Sequence, residues 1–412
     1  KVQAVASGAL ASGDTVIVNA NGTVSSTFTN LSIFYAGNMA IPKIATNGSG
    51  TLVITYRDTG NSNKGMVVAG TISGSSVTFG SPIELVGEMG NSPGSVVYDP
   101  DSSKFVLVYS DDGAGGYLNA RVATVSGVSV SLGTAVVVNS QNVIYSGAVY
   151  DTSANKVVIG WRGYTNSLVA AAVGTVSGTG ISFGNTSTVA SDRPNYISVV
   201  YDANANKTVI FYRDDASTTH GKAVVCTVSG TSISGGSAAT FNAAATTNID
   251  GAYDSTAQKI VIGFKDHGLS PTVGRAVVGT ISGTTISFGS EVTFSGTDAA
   301  SFISVSYDSA NNKTFIFCNR ASSLQGIIGT VSGTNISFGT ASTLSSGASS
   351  NVASTFSAGS GKVLVVFKNN AANQGLLLAV DSTFAGGNLT AENFIGIASN
   401  GYATGQAATI NA

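Results

Sequence analysis

One sentence of sequence recurs down the chain, and it constrains the fold more than any other feature. It reads as a β-strand, a tight Ser-Gly turn and a second strand: MVVAGTISGSSVTFGS (66–81), RVATVSGVSVSLGT (121–134), AAVGTVSGTGISFGN (171–185), AVVCTVSGTSISGGS (223–237), AVVGTISGTTISFGS (276–290) and GIIGTVSGTNISFGT (326–340). The turn glycines Gly74, Gly127, Gly178, Gly230, Gly283 and Gly333 are separated by 53, 51, 52, 53 and 50 residues. A period this regular means that one supersecondary unit is repeated and stacked on itself.

Each unit opens on a short inner strand such as ISVVYD (197–202), passes through an Asp-x-x-x-Asn-Lys turn, and continues into an apolar strand such as KTVIFYRD (207–214). The Ser-Gly pair supplies the third and fourth strands. Four short strands per unit, rich in Val, Ile, Phe and Tyr and cut by Gly and Asn turns, match a propeller blade, and no helical periodicity competes. A last unit, NVASTF (351–356), GKVLVVFKN (361–369) and GLLLAVDSTF (375–384), lacks its ISFG strand, while DTVIVNANGTVSSTF near the start carries Gly22 one period before Gly74. The expected fold is therefore all-β: a seven-bladed β-propeller of four-stranded antiparallel blades, its ring closed by the N-terminal strand so that no open edge remains. The expected organisation is an N-terminal closing segment over 1–28, the propeller over 29–387, and a C-terminal β-hairpin or linker over 388–412.

Net charge of −2 gives no electrostatic case for nucleic acid, and no apolar run reaches the roughly 18 residues of a membrane helix, so no membrane insertion is expected. Charged residues make up only 10% of the chain, so hydroxyls, amides and backbone must cover its surface, which suits an extracellular or particle-bound protein. The opening KVQAVASGALASG has no signal-peptide core, and the chain reads as a mature or excised piece. Cys226 and Cys318 stand at different places in their repeats and read as small buried hydrophobes rather than a bridge.

The Asp-x-x-x-Asn-Lys and Ser-Gly turns share one face and scarcely vary, so function is expected on the other face, where loop length and sequence differ between units. At the base of those loops the second strand ends in an aromatic-basic-acidic pattern: Tyr56-Arg57-Asp58, Trp161-Arg162-Gly163, Tyr212-Arg213-Asp214, Phe264-Lys265-Asp266 and Phe367-Lys368-Asn369. Donors beside aromatic planes suit a sugar, whose hydroxyls take hydrogen bonds and whose apolar faces stack. The candidate ligand-binding residues are Trp161, Arg162, Tyr164, Tyr212, Arg213, Arg57, Lys265, His267 and Lys368. The competing reading is that each cation pairs with a neighbouring Asp and ties loops together. Lys104, Lys156, Lys207, Lys259, Lys313 and Lys362, with the Asp of each YD, belong to the opposite face and read as turn structure. Gly180-Ile-Ser182-Phe-Gly184 matches G-x-S-x-G inside a strand and reads as chance. No metal site, cofactor or catalytic residue is expected, and the chain reads as a non-enzyme, because a glycosidase needs two placed carboxylates that the units do not repeat.

Blades built on GTVSGTxISFG and YDxxxNK, flanked by VASGALASGDTVIVNANGTVS (5–25) and LTAENFIGIASNGYATGQAATINA (389–412), resemble the repeat propellers of virion appendage proteins (tail-fibre, receptor-recognition or capsid-attached proteins) of marine bacteriophages. The resemblance implies a virion or extracellular location, other virion proteins as partners, and recognition of a host-surface glycan or receptor. A purely structural or decoration role is the alternative, and a carbohydrate-active enzyme on the same scaffold is the second.

Overall fold

The computed structural model describes residues 31–382 except 93, 164–166, 217, 297–299, 321 and 346, together with the backbone of five terminal strands. The described residues are almost wholly β, arranged in antiparallel sheets that repeat one plan. In the fourth repeat, inner strand Pro194–Asp202 pairs with Lys207–Asp214, which pairs with Gly221–Ser229, which pairs with Ser232–Gly235. Successive meanders of this kind define a β-propeller.

The second strands are sealed on both faces. Thr208 through Tyr212 are all buried, which is why KTVIFY reads as an unbroken apolar run and not as an alternating one. The core is accordingly divided into clusters between neighbouring sheets: Val158, Ala171 and Val173 of the third repeat pack on Val199, Ile210 and Val224 of the fourth.

Two repeated devices set the spacing. Each Ser-Gly turn has its glycine at φ between +59° and +62°, in the first central position of a two-residue loop, a left-handed conformation that glycine adopts without cost. The glycine that closes ISFG has a different purpose. A Cβ on Gly184 would lie 2.1 Å from the Thr231 carbonyl of the next repeat, and one on Gly289 would lie 1.8 Å from that of Thr334. These glycines let one sheet's outer edge touch its neighbour's turn.

The outer position is split between two short strands. In the first repeat, Ser76–Phe79 pairs with the later half of Lys64–Ser73, and Ile83–Val86 pairs with the earlier half before the chain moves to the next inner strand. One continuous strand, Val136–Asp151, combines the two tasks, ending the second repeat and opening the third. Every repeat thus lends its leading strand to the sheet before it.

That rule corrects the expected closing segment. The strand filling the outer position of the last sheet is Leu31–Tyr35, which leads into inner strand Met39–Thr46 and pairs with Gln374–Val380. It takes the place that Ile83–Val86 has in the first sheet, not that of the missing ISFG strand. Gly375 makes room for the Phe34 ring, much as Gly221 does for Phe241. Strands within 1–28 pair elsewhere: Val2–Val5 with Ala407–Asn411, and Thr15–Val18 with both Val24–Ser26 and Phe394–Ala398. Val18 pairs with Val24, so the strand pair read from DTVIVNANGTVSSTF forms, but in a sheet of the two termini. Phe34, Ile44 and Ile54 share one buried cluster with Ala353, Leu364 and Leu377, so the first and last repeats meet through a common core.

A candidate binding site at the channel mouth

The aromatic-basic-acidic pattern at the loop bases is mostly scaffold. Trp161 and Tyr212, expected to meet a ligand, are 1% and 0% exposed and pack in the core between sheets. This corrects their assignment: strand alternation points the aromatic between blades, where it has no free face. Tyr164 lies outside the described residues. The acidic member caps its own turn, with Asp58 Oδ1 accepting the Gly60 N–H at 3.1 Å, Asp214 Oδ1 that of Ala216 at 2.9 Å and Asp266 Oδ1 that of Gly268 at 2.8 Å. Two of these acids pair with cations of the third strand: Lys222 Nζ lies 2.8 Å from Asp214, and Arg275 Nη1 3.1 Å from Asp266. Burial alone would raise the pKa of Asp214; the Lys222 ammonium and backbone donors outweigh it and leave it lowered.

The second-strand cations therefore do not pair as the tying reading required. Of the candidates Arg57, Arg162, Arg213, Lys265 and Lys368, Arg213 is the one with an ion pair among the described residues, with Asp215 two residues on, and its guanidinium lies 4.9 Å above the Tyr196 ring. Arg162 is buried and donates to Asn195 Oδ1, and burial together with Arg193 disfavours its charge. Lys265 Nζ reaches Ser301 Oγ at 3.4 Å. Arg57, Lys265 and Lys368 have no ion pair among the described residues. His267 shares a hydrogen bond with Thr247 Oγ1 at 2.9 Å, and burial, Lys265 and Arg213 hold its pKa below the usual imidazole range.

A more ordered constellation lies one step inward. Five inner strands carry a β-bulge at the same level, with register shifts at Ala40/Lys43, Asn195/Ser198, Thr247/Asp250, Ser301/Ser304 and Ser350/Ala353. The first extra residue in each is left-handed: Ile41 (φ 45°), Tyr196 (54°), Asn248 (52°), Phe302 (52°) and Asn351 (54°). Asn tolerates that region; β-branched Ile and bulky Tyr and Phe are strained there by about 1–3 kcal/mol each. Asn side chains brace the next repeat's bulge, since Asn248 Oδ1 accepts the Phe302 N–H at 3.0 Å and Asn351 Oδ1 that of Ile41 at 3.3 Å. Bulges of this kind re-aim side chains. Here all five turn toward one cavity of about 250 Å³ that Tyr145 and Asn91 also line. Tyr145 and Tyr196 stack obliquely at 5.2 Å, and Phe302 is 40% exposed.

Below the mouth, seven register-equivalent residues surround a second cavity of about 230 Å³: Lys43, Ser95, Gly147, Ser198, Asp250, Ser304 and Ala353. Asp250 accepts on both oxygens, its Oδ1 from Ser198 Oγ at 2.9 Å and its Oδ2 from Val305 N–H at 2.9 Å and Ser304 Oγ at 3.3 Å. Ser354 Oγ extends the chain to Ser304 at 2.9 Å and Ser306 at 2.6 Å. Lys43 lines both cavities and has no ion pair or hydrogen bond from its side chain among the described residues. It keeps internal surface yet is enclosed by protein, so desolvation lowers its pKa, with Asp250 across the channel opposing.

Sequence reasoning did not single out Lys43, Asp250, Tyr145, Tyr196, Asn248, Phe302 or Asn351. One signal was available: the fourth residue before the Asp of each YD reads Ser95, Gly147, Ser198, Asp250, Ser304, and a carboxylate among small residues stands out in that column.

Comparison with known proteins agrees on the fold. The sequence matches no protein-family model and no curated protein sequence. In structure the chain is similar to the Dos1 propeller, with a TM-score of 0.53 at 9% identity over 85% of this chain and 94% of that one. It is also similar to a protein from Lactobacillus plantarum, with a TM-score of 0.54 at 11% identity over 82% of this chain and 93% of that one. A looser likeness is to the Aleuria aurantia lectin bound to α-methyl-L-fucoside, with a TM-score of 0.45 at 14% identity over 75% of this chain and 98% of that one. At 9% identity the likeness to the Dos1 propeller supports the β-propeller fold alone and transfers no binding residue.

Proposed function

We propose that the chain is a closed seven-bladed propeller that binds a saccharide in the channel mouth without transforming it, as the host-recognition part of a virion appendage. The observation that carries this reading is the ring of bulges, which spends backbone strain to direct Tyr196, Phe302, Ile41 and two Asn side chains at one concave site. Apolar planes beside amides suit a sugar ring, with its stacking faces and equatorial hydroxyls. Seven inner strands each contributing one residue at a single level, and a core shared by the first and last repeats, support the closed ring. Asp250 is the only carboxylate among the described residues lining the two cavities, where glycoside hydrolysis takes a pair of them, which favours binding over hydrolysis.

Display of the chain against an array of bacterial envelope saccharides tests the reading. Binding that Phe302→Ala weakens supports it, and silence across the array overturns it. A second reading, decoration through the outer rim, is favoured by Leu31 and Ile33, which are 50% and 53% exposed on the outermost strand of the last sheet. Cross-linking of the intact particle through that strand to a neighbouring virion protein would support it.

A further inference from the structure

The mouth has a floor, and the floor carries a charge without a partner. Lys43 stands where the two cavities join, and nothing among the described residues pairs with it. Asp250, the anion that could have neutralised it, lies across the channel and spends its oxygens on Ser198, Ser304 and the Val305 N–H. An ammonium enclosed by protein without a paired counter-ion is costly to keep charged, so an incoming anion gains the interaction that the fold withholds. The surrounding level adds to the attraction. Arg57, Lys265 and Lys368 sit on second strands opposite Ala40, Thr247 and Ser350, each one residue before a bulge, and none has an ion pair among the described residues.

We propose that the saccharide taken by the mouth is acidic, a uronate-type sugar whose ring lies against Phe302 and Tyr196 and whose carboxylate descends toward Lys43. This rests on the saccharide reading above and narrows it to a chemical class. A neutral sugar can satisfy the aromatic and amide walls, but it leaves the floor uncompensated.

The test uses the whole chain and matched pairs of probes: oligogalacturonate and hyaluronan fragments, each beside its carboxyl-reduced form, in which the uronate is a neutral hexose of the same configuration. Calorimetric titration should show at least one uronate oligomer binding about tenfold or more tighter than its reduced counterpart, with Lys43→Met closing that gap to about twofold. Lys43→Arg, which keeps the charge, should retain the preference, and thermal unfolding of both variants confirms that each is folded. Equal affinity within every pair that binds, or an acid preference that survives Lys43→Met, overturns the acidic class and leaves saccharide binding standing. If no member of either series binds and the envelope array is also silent, the saccharide reading itself falls.

Discussion

Asn248 Oδ1 accepts the backbone N–H of Phe302 at 3.0 Å, joining two repeats whose bulged residues both sit in the left-handed region. The bond holds a phenylalanine in a backbone conformation that its side chain disfavours, and it leaves the ring 40% exposed at the channel mouth. Two opposing effects meet at one position. Phe302→Gly relieves the strain but gives up the buried part of the ring, so its stability in chemical denaturation should stay within about 1 kcal/mol of the parent while ligand binding weakens. Asn248→Ala should lower stability by about 1–2 kcal/mol, because it deletes a bond and places a non-Gly, non-Asn residue at φ 52°.

The blade-closing glycines offer an internal control. A Cβ at Gly184 would meet the Thr231 carbonyl at 2.1 Å, whereas at Gly339 the nearest atom, the Ile328 carbonyl, is 3.8 Å away. The difference arises because the last sheet has Leu31–Tyr35 on its edge and no Ser-Gly turn to press on Gly339. Gly184→Ala should cost about 1–3 kcal/mol through overpacking, and Gly339→Ala should stay within about 0.5 kcal/mol of the parent. Equal effects at the two sites would mean that the close approach between blades does not set their spacing.

The blade plan was legible because each of its parts is a local rule written repeatedly. Gly74 and its equivalents mark a turn that needs positive φ, and the Asp of each YD caps the next turn, as Asp254 does for the Thr256 and Ala257 N–H groups at 3.0 and 2.8 Å. The strand that completes the last sheet was misplaced because spacing alone does not say which strands pair: Val18 pairs with Val24, whereas Leu31–Tyr35 pairs with Gln374–Val380, a contact that spans the chain. The site was harder still. Trp161 has the composition of a sugar contact but the position of a core residue, and loop-base chemistry alone does not say which way a strand turns its side chains. Ile41, Tyr196 and Phe302 look like ordinary strand residues until the bulge turns them to the axis.

Burial of the two cysteines makes a direct chemical prediction. Desolvation pushes both Cys226 and Cys318 up to about 12, and both side chains are fully enclosed. The thiolate is the reactive form, so neither should react with iodoacetamide at pH 8 in the folded protein, and both should label once denaturant unfolds it. Labelling of either under native conditions would show that its repeat opens locally.

Lys222 holds two carboxylates at once, with its Nζ 2.8 Å from Asp192 and 2.8 Å from Asp214. Its own pKa is raised: burial opposes the charge, but the two carboxylates outweigh it. That of Asp214 is lowered against the pull of burial. The signs follow from which state binds more protons. Asp214 contributes stability above its unfolded pKa near 4 and loses it as pH falls through the lower folded value, because the unfolded chain protonates first. Lys222 contributes stability below its unfolded pKa of about 10.4 and loses it as pH rises through the higher folded value. Lys222→Met leaves Asp214 buried beside Asp192 without a cation, which should cost about 3–5 kcal/mol at pH 7 by equilibrium denaturation. With the Lys222 ammonium gone, only the Ala216 and Arg193 backbone donors oppose burial, so Asp214 rises from its parent value and mild acid should remove less stability from the variant than from the parent. Parallel acid slopes for the two proteins between about pH 3 and 6 would refute this assignment of Lys222 as the cation that keeps Asp214 ionised.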